Sequence, residues 1–561
     1  MGNVTAKLLP NEITAVIPAA GKIPEGVLTL TNVKSPALIP VAGRPVIDWT
    51  IRYLRNLGIE NFVIAVSEPA TFLEDFVECS FGDDLNIEFV VPKRDGGVGF
   101  TVLELLRRVN TRGSLVVLGD THFECGDSND LFGDAPYVLT GPVEESKRWC
   151  IAKLKEGGLV DSLHDKEANL PGPLHALIGV YGFPSTQLAL DCAEEAEKQC
   201  NEPEDRIELS QILMGVAEKS NRAIVAKPAA KWIDVGNPDR HASSHRTLLQ
   251  ARAFNQLEID PVFGLITKRS TDSAKFISQI NYQRLLPNEL SILFPRLVDY
   301  SVSWEAPFAK MEYYGYPTLA EVFLFANVDP VQWEHIFRHL ISIVTEGFMK
   351  YRRPMSESTI WNMYIEKTES RLASKDIGPE LRKLIDHEGS FSINGKTVPN
   401  LKSRWNEVKA LVKSWHDHTD ASIIHGDLCL SNILYDVRSR VCKLIDPRGS
   451  FKVDGIYGDP NYDIAKLYHS VYGLYDFIVN DVFDLQIDGT DIQFKMRARP
   501  QHKEINSKFE SVFFPTFNKK ETLLRTSLLF ASMPALHYDA PKRQLAMYIR
   551  SLQLLDEALS L

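Results

Sequence analysis

The sequence predicts an α/β chain in two parts: an alternating strand–helix unit over about residues 12–240, and an α+β unit from about 250 onward. Three observations lead there. Short β-branched runs at 13–17, 61–66, 87–91, 115–118 and 176–181 are apolar without alternation, as strands buried on both faces are. Amphipathic stretches at 46–57 and 102–109 fall between them, the order expected of a mixed, mostly parallel sheet covered by helices. Beyond 250 the texture changes. Strand-like pieces at 262–267 and 308–313 give way to long helical patterns at 330–350, 360–374, 401–415 and 543–559. The 561 residues admit two to four domains. The boundary falls in 240–253, which itself reads as a helix, so the domains are expected at 1–248 and 252–561.

Composition narrows the partners. Lys and Arg number 62 against 73 Asp and Glu, a net charge of −11, which disfavours nucleic acid and anionic membranes. Hydrophobic residues at 44% and charged residues at 24% exclude a disordered or low-complexity chain. No apolar stretch approaches the ~20 residues of a membrane span. The seven cysteines are scattered, with no CxxC pair, which argues for reduced thiols rather than disulfides or zinc. With no secretory leader visible at the start, the expected location is cytoplasmic.

In the first unit, AVIPAAG places Ala19, Ala20 and Gly21 just past a buried strand, where a phosphate can approach backbone N–H groups closely. SLVVLGDTHF puts Asp120 at another strand end, and KWIDVGNPDR puts Asp234 at a third. Two carboxylates at strand tips are suited to hold Mg²⁺ against a nucleoside triphosphate and to offset charge developing on pyrophosphate. With PVAGRP at 40–45, these segments resemble the nucleotidyltransferases that activate sugar phosphates, over about residues 12–245. The resemblance implies a GT-A-like, Rossmann-like fold, with Asp120 and Asp234 as metal ligands. It also implies attack of a substrate phosphate on the α-phosphorus of an NTP (CTP or UTP). Two departures stand out. The opening loop reads GKIPEG without the family's second Gly and Arg, and Pro36 occupies the place of the family's catalytic lysine. Lys22 and Lys34 are candidates to supply the missing charge, and Lys166 is the candidate ligand for the substrate phosphate.

The second unit carries SIIHGDLCLSNILYD followed by CKLIDPRGSF, setting Asp427, Asn432 and Asp446 among apolar flanks. That spacing suits phosphoryl transfer from ATP: one Asp takes the acceptor's proton, and an Asn and a second Asp hold Mg²⁺. The segment resembles the aminoglycoside phosphotransferase and choline kinase family, a small-molecule branch of the two-lobed protein-kinase-like fold. The resemblance implies Asp427 as catalytic base, Asn432 and Asp446 as metal ligands, Lys268 in FGLITKRS as the ATP-phosphate lysine, and Met311 to Tyr313 as the hinge that reads adenine. Where the family's lysine-pairing Glu belongs, this chain has Gln279. Together the two resemblances imply a bifunctional enzyme. A kinase would phosphorylate a small sugar or amino alcohol, and a nucleotidyltransferase would couple that phosphate to an NMP for surface polysaccharide synthesis. The alternative is an active kinase joined to a nucleotide- or sugar-phosphate-binding module without turnover.

Overall fold

The computed structural model describes residues 7–21, 35–41, 44–67, 71–82, 84–94, 97–200, 202, 205–235, 255–260, 262–417, 420–450 and 455–561. The chain divides into two compact units, Met1–Leu248 and Leu249–Leu561.

The first unit runs β1 (Ile13–Pro18), α1 (Val46–Asn56), β2 (Asn61–Ala65), α2 (Thr71–Phe81), β3 (Asn86–Val90), α3 (Val98–Leu106), β4 (Gly113–Val117), β5 (Thr121–Cys125), β6 (Tyr137–Pro142), β7 (Cys150–Leu154), β8 (Val160–Asp165), β9 (His175–Phe183), α4 (Thr186–Gln199), α5 (Leu209–Ser220) and β10 (Val225–Asp234). The strands form one mixed sheet in the order β3-β2-β1-β4-β9-β6-β10-β5, with the β7–β8 hairpin attached at β9. β3, β2, β1 and β4 run parallel, and β9 enters antiparallel to β4. Every residue of β4 is buried, which explains a run without alternation. Val16 and Val116 from the sheet pack with Phe100 and Leu103 of α3 and Leu213 of α5. The helix expected at 102–109 begins four residues earlier, at Val98, because Gly97 (φ 91°) makes the turn that launches it.

The second unit opens on β11 (Asn255–Asp260), β12 (Leu265–Ser270), α6 (Ser273–Leu285), β13 (Leu297–Ser301) and β14 (Phe308–Glu312). These strands make an antiparallel sheet ordered β11-β12-β14-β13, with Phe276 and Ile280 of α6 packed on Ala309. The strand expected at 262–267 is half turn. The Asp260 carboxylate accepts from the Val262 and Phe263 N–H groups (3.0 and 3.2 Å), leaving both side chains on the surface, and β12 starts at Leu265. A mostly helical part follows. It contains α7 (Pro330–Ser342), then a helical run over 357–372 with a π turn at Asn362–Glu366 that ends in α8 (Lys367–Leu372). Next come β15 (Ala421–Ile423), the β16 (Ile433–Asp436)–β17 (Val441–Leu444) hairpin, α9 (Pro460–Val471), α10 (Lys519–Ser532) and α11 (Pro541–Ser560). The helix expected at 330–350 ends at Ser342 and continues as a π turn, Ile343–Gly347. A small sheet of Ser390–Ile393, Lys396–Pro399, Phe483–Asp488 and Asp491–Met496 was not expected from the sequence pattern.

Inside this part, Arg525 of α10 is fully buried. Its Nε donates to Asp459 Oδ2 (3.0 Å), its Nη1 to Glu521 (2.8 Å), and its guanidinium stacks on Trp415 at 3.7 Å. Tyr364 Oη donates to the same Asp459 oxygen (2.7 Å). These contacts offset part of the cost of burying the pair, while Arg525 Nη2 finds no hydrogen-bond partner among the described residues.

Candidate active sites

The parallel strands of the first unit end at a cleft of about 970 Å³ lined by Ala19, Ala20, Gly21, Pro36 and Asp120, with Lys93 and Arg94 from the segment after β3. It lies beyond the carboxyl ends of the strands, where open α/β sheets bind ligands. The opening loop is pinned there. Ser35 Oγ donates to the Ala19 carbonyl (3.3 Å), and a Cβ on Gly119 would stand 2.8 Å from the Ala19 Cβ, so only glycine permits this approach. The backbone brings the second aspartate position alongside the first: Asp234 is registered opposite Thr121, and the Val235 N–H donates to the Asp120 carbonyl (3.1 Å). Asp120, which lines the cleft, carries the kind of hard oxygen ligand that Mg²⁺ takes.

The other candidates of this unit fare differently. Lys22 and Lys34 lie outside the described residues. Lys166 is exposed at φ 51°, its N–H on the Trp149 carbonyl (2.9 Å) and its ammonium 3.9 Å from Asp165. It is not among the described residues that line the cleft, so the structure does not bring this candidate phosphate ligand to the others. Pro36 does line it, starting a buried 3₁₀ turn. Sequence reasoning missed Lys93 and Arg94. The Lys93 N–H donates to both Glu104 oxygens (3.0 and 3.2 Å), and the Arg94 guanidinium stacks on Phe100 at 3.9 Å. A basic pair directly after a strand and before Gly96-Gly97 was the available signal.

In the second unit the segment between β15 and β17 gathers a different kind of site. Asp463 of α9 accepts from the His425 and Gly426 N–H groups (2.7 and 2.8 Å), which fixes the turn preceding Asp427. His425 stands as a neutral imidazole: Nδ1 accepts from the Asp427 N–H (3.2 Å) and Nε2 donates to the Ile445 carbonyl (3.0 Å). Burial, outweighing nearby carboxylates, holds its pKa down at about 4. Burial likewise pushes Asp463 up to about 7, against its two N–H bonds. For Asp427 burial acts upward, but the Lys466 ammonium at 2.8 Å prevails and keeps the carboxyl well below the usual range. Asp427 therefore stays ionised.

Asn432 Nδ2 donates to the Asp427 carbonyl (2.9 Å) and to Oδ2 (3.1 Å), which leaves Oδ1 as its remaining ligand atom. Asp446 has a left-handed backbone (φ 55°) and an exposed side chain whose Oδ1 lies 2.5 Å from Lys268 Nζ. Asn432 Oδ1 and the Asp446 carboxylate are hard oxygen groups of the kind that could hold Mg²⁺. Gly449 (φ 31°) follows in the same segment, where a Cβ would lie 2.2 Å from the Ser278 carbonyl of α6.

On the nucleotide side, Lys268 on β12 bonds Asp446. Met311 lies within β14, and the Tyr313 N–H that follows it donates to the Gly264 carbonyl (2.8 Å) of the β11–β12 turn. Lys466 was missed: it stands 39 residues beyond Asp427, on the separate helix α9.

Residues 26–251 match the model of the nucleotidyl transferase family. Over 165 residues the chain is 28% identical to a glucose-1-phosphate thymidylyltransferase of Streptomyces griseus, an alignment covering 28% of this chain and 44% of that protein. The chain thus spans less than half the length of the curated relative it matches. A Bacillus anthracis structure designated a glucose-1-phosphate thymidylyltransferase, in complex with a sucrose, aligns at 17% identity and a TM-score of 0.36, over 43% of this chain and 97% of that one. HddC from Yersinia pseudotuberculosis aligns at 16% identity and a TM-score of 0.33, over 42% and 99%. Among the described residues no helix is long and apolar enough to cross a membrane.

Proposed function

We propose that the chain is a bifunctional transferase of phosphorus-containing groups. Its N-terminal unit joins a sugar phosphate or related phosphate to an NMP taken from an NTP, and its C-terminal unit phosphorylates a hydroxyl of a small metabolite with ATP. The observation that carries the first activity is the meeting of Ala19–Gly21 and Asp120 in one strand-end cleft, within a region that matches the nucleotidyl transferase family. The second rests on Asp427, kept ionised by Lys466 and bracketed by Asn432 and the Lys268–Asp446 pair.

In the first reaction the cleft backbone at Gly21 receives the triphosphate, and Lys93 and Arg94 bring positive charge to it. Asp120 and Asp234 would hold Mg²⁺, which supplies charge neutralisation at the phosphates. In the second, Asp427 accepts the proton of the attacking hydroxyl, Lys268 holds the ATP phosphates, and Asn432 and Asp446 would hold Mg²⁺. If the kinase product feeds the nucleotidyltransferase, the chain makes an NDP-activated building block, and synthesis of surface polysaccharide is one use of such a product.

The test is single-site inactivation of the full chain. Asp427→Asn should remove acceptor-dependent ATP consumption and spare pyrophosphate release from NTP with sugar phosphates. Asp120→Asn should do the reverse. Pro36, where the family has a lysine, favours a second reading in which the first unit binds nucleotide or sugar phosphate without turnover. Wild-type protein that binds NTP yet releases no pyrophosphate across a panel of NTPs and sugar phosphates would establish that reading instead.

A further inference from the structure

Several basic side chains of the C-terminal unit act on Asp427 and its neighbours. Lys367 and Arg371 stand one turn apart on α8, both half-buried. Lys367 Nζ donates to Tyr462 Oη (2.9 Å), and Tyr462 stands one turn before Lys466 on α9, the lysine that pairs with Asp427. Arg371 Nη1 donates to the Ser532 carbonyl (3.0 Å). Arg448 is anchored by its N–H on the His425 carbonyl (2.9 Å) and so springs from the same loop system. Among the described residues no carboxylate lies within ion-pair distance of Lys367 or Arg371.

A second feature stands in the same neighbourhood. His469, three residues after Lys466, is fully buried between Tyr475 and Phe530 (ring centroids 4.2 Å from each), and neither ring nitrogen has a hydrogen-bond partner. Burial, followed by the charges of Arg448, Arg371 and Lys466, holds Lys367 well below an ordinary lysine, with Asp427 acting the other way. Lys268 and Asp446 mark the nucleotide side of Asp427. The group formed by α8 and α9 approaches Asp427 through Lys466.

We propose that Lys367, Arg371, Arg448 and Lys466 form the acceptor subsite, and that the acceptor is a hydroxylated metabolite bearing a carboxylate or a phosphate rather than a neutral sugar or a quaternary-ammonium alcohol. The proposal rests on the kinase reading above. In the step, the acceptor oxygen bonds to the γ-phosphorus of ATP, the bond from that phosphorus to the β,γ-bridging oxygen breaks, the hydroxyl proton passes to Asp427, and ADP leaves. The acceptor's anionic group meets Lys367 and Arg371, which orients the hydroxyl toward Asp427.

The experiment pairs acceptors that differ only in charge, using the full chain with MgATP: D-glycerate against glycerol, ribose 5-phosphate against ribose, and choline as the cationic control. The anionic member of a pair should exceed its twin by about tenfold or more in kcat/KM, and the glycerate and ribose 5-phosphate arms separate carboxylate from phosphate. Lys367→Gln and Arg371→Gln should each raise the acceptor KM about 10- to 100-fold while moving the ATP KM less than about twofold. A preference for the neutral or cationic twin overturns the proposal, as does a rise confined to the ATP KM. If no panel member is phosphorylated, thermal stabilisation of the MgADP complex by D-glycerate, ribose 5-phosphate or inorganic phosphate decides. Stabilisation lost in Lys367→Gln sustains the subsite, and none in the wild type removes it. Failure of the kinase reading itself has another signature: no MgADP binding, and ATP consumption identical in the wild type and Asp427→Asn.

Discussion

The two candidate sites handle phosphate by different means. In the N-terminal unit the cleft is walled by small residues and backbone at the tips of parallel strands, with Asp120 reaching it from one side and Lys93 and Arg94 from another. In the C-terminal unit the groups are charged side chains that hold one another: Lys466 on Asp427, Lys268 on Asp446, and Asp463 on the turn at His425. A site of the first kind depends on how closely the chain can approach a ligand, so substitutions of glycine and alanine are its weak points. In a site of the second kind the weak points are the partners of the catalytic groups.

That contrast can be tested at several levels. The largest effect is expected from Asp427→Asn, with acceptor-dependent ATP turnover falling about 10²- to 10⁴-fold as the proton acceptor is lost, measured as ADP release. Lys466→Met should lose a comparable share through misplacement of Asp427. Next comes Arg525→Met, which strands the Asp459 carboxylate in the interior and should destabilise the C-terminal unit by about 3–5 kcal/mol. Urea unfolding followed separately in the two units would show the first unit's transition in place.

A pH series probes the same unit more gently. The folded pKa of His425, about 4, lies below its unfolded value, so its stabilisation is complete above about pH 6.5 and is lost as pH falls toward about 4. Asp463, raised to about 7, acts in the opposite sense, with its protonation favouring the fold as pH falls through 7. The penalty of His425→Gln relative to wild type should therefore be greatest at neutral pH and shrink on acidification. A penalty that grows toward pH 4 would mean the imidazole is charged in the fold. In the first unit the effects are smaller. Lys93→Ala with Arg94→Ala should raise the NTP KM about tenfold. Lys166→Ala should change the pyrophosphate release rate less than about twofold, because this lysine stands apart from the cleft.

The sequence displayed these two sites unequally, for physical reasons. Asp427, Asn432 and Asp446 fall within twenty residues, on a turn and a hairpin whose apolar flanks bracket them, so local spacing reports their roles. Lys466, Lys367 and Arg371 reach the same place through helix packing, and no spacing in the chain announces a contact made from a separate helix. Lys93 and Arg94 were open to the strand-end rule that singled out Asp120, but they look like ordinary solvated residues until the cleft is seen. The turn at 262–264 shows the other limit. Val262 and Phe263 have strand composition, yet one carboxylate accepting two N–H groups outweighs that preference. β1, β2 and β4 were legible because burial on both faces writes an unbroken apolar run, whereas the edge strand β3, expected to be buried too, is only partly covered. The small sheet at 390–399 and 483–496 buries only alternate residues, such as Phe391, Ile393, Ile492 and Phe494, between charged and polar ones, so it writes no unbroken apolar run.

The Lys268–Asp446 contact also has a consequence for descent. Each residue is the other's neutralising partner across 178 positions of sequence, and the lysine side chain is only 10% exposed. A lineage that lost the aspartate would carry an uncompensated ammonium there, and one that lost the lysine would leave a carboxylate on a left-handed backbone with nothing to hold it. The two positions are bound to be inherited, exchanged or abandoned together, so in any set of related chains they should vary as a pair even though they lie on different elements of the fold.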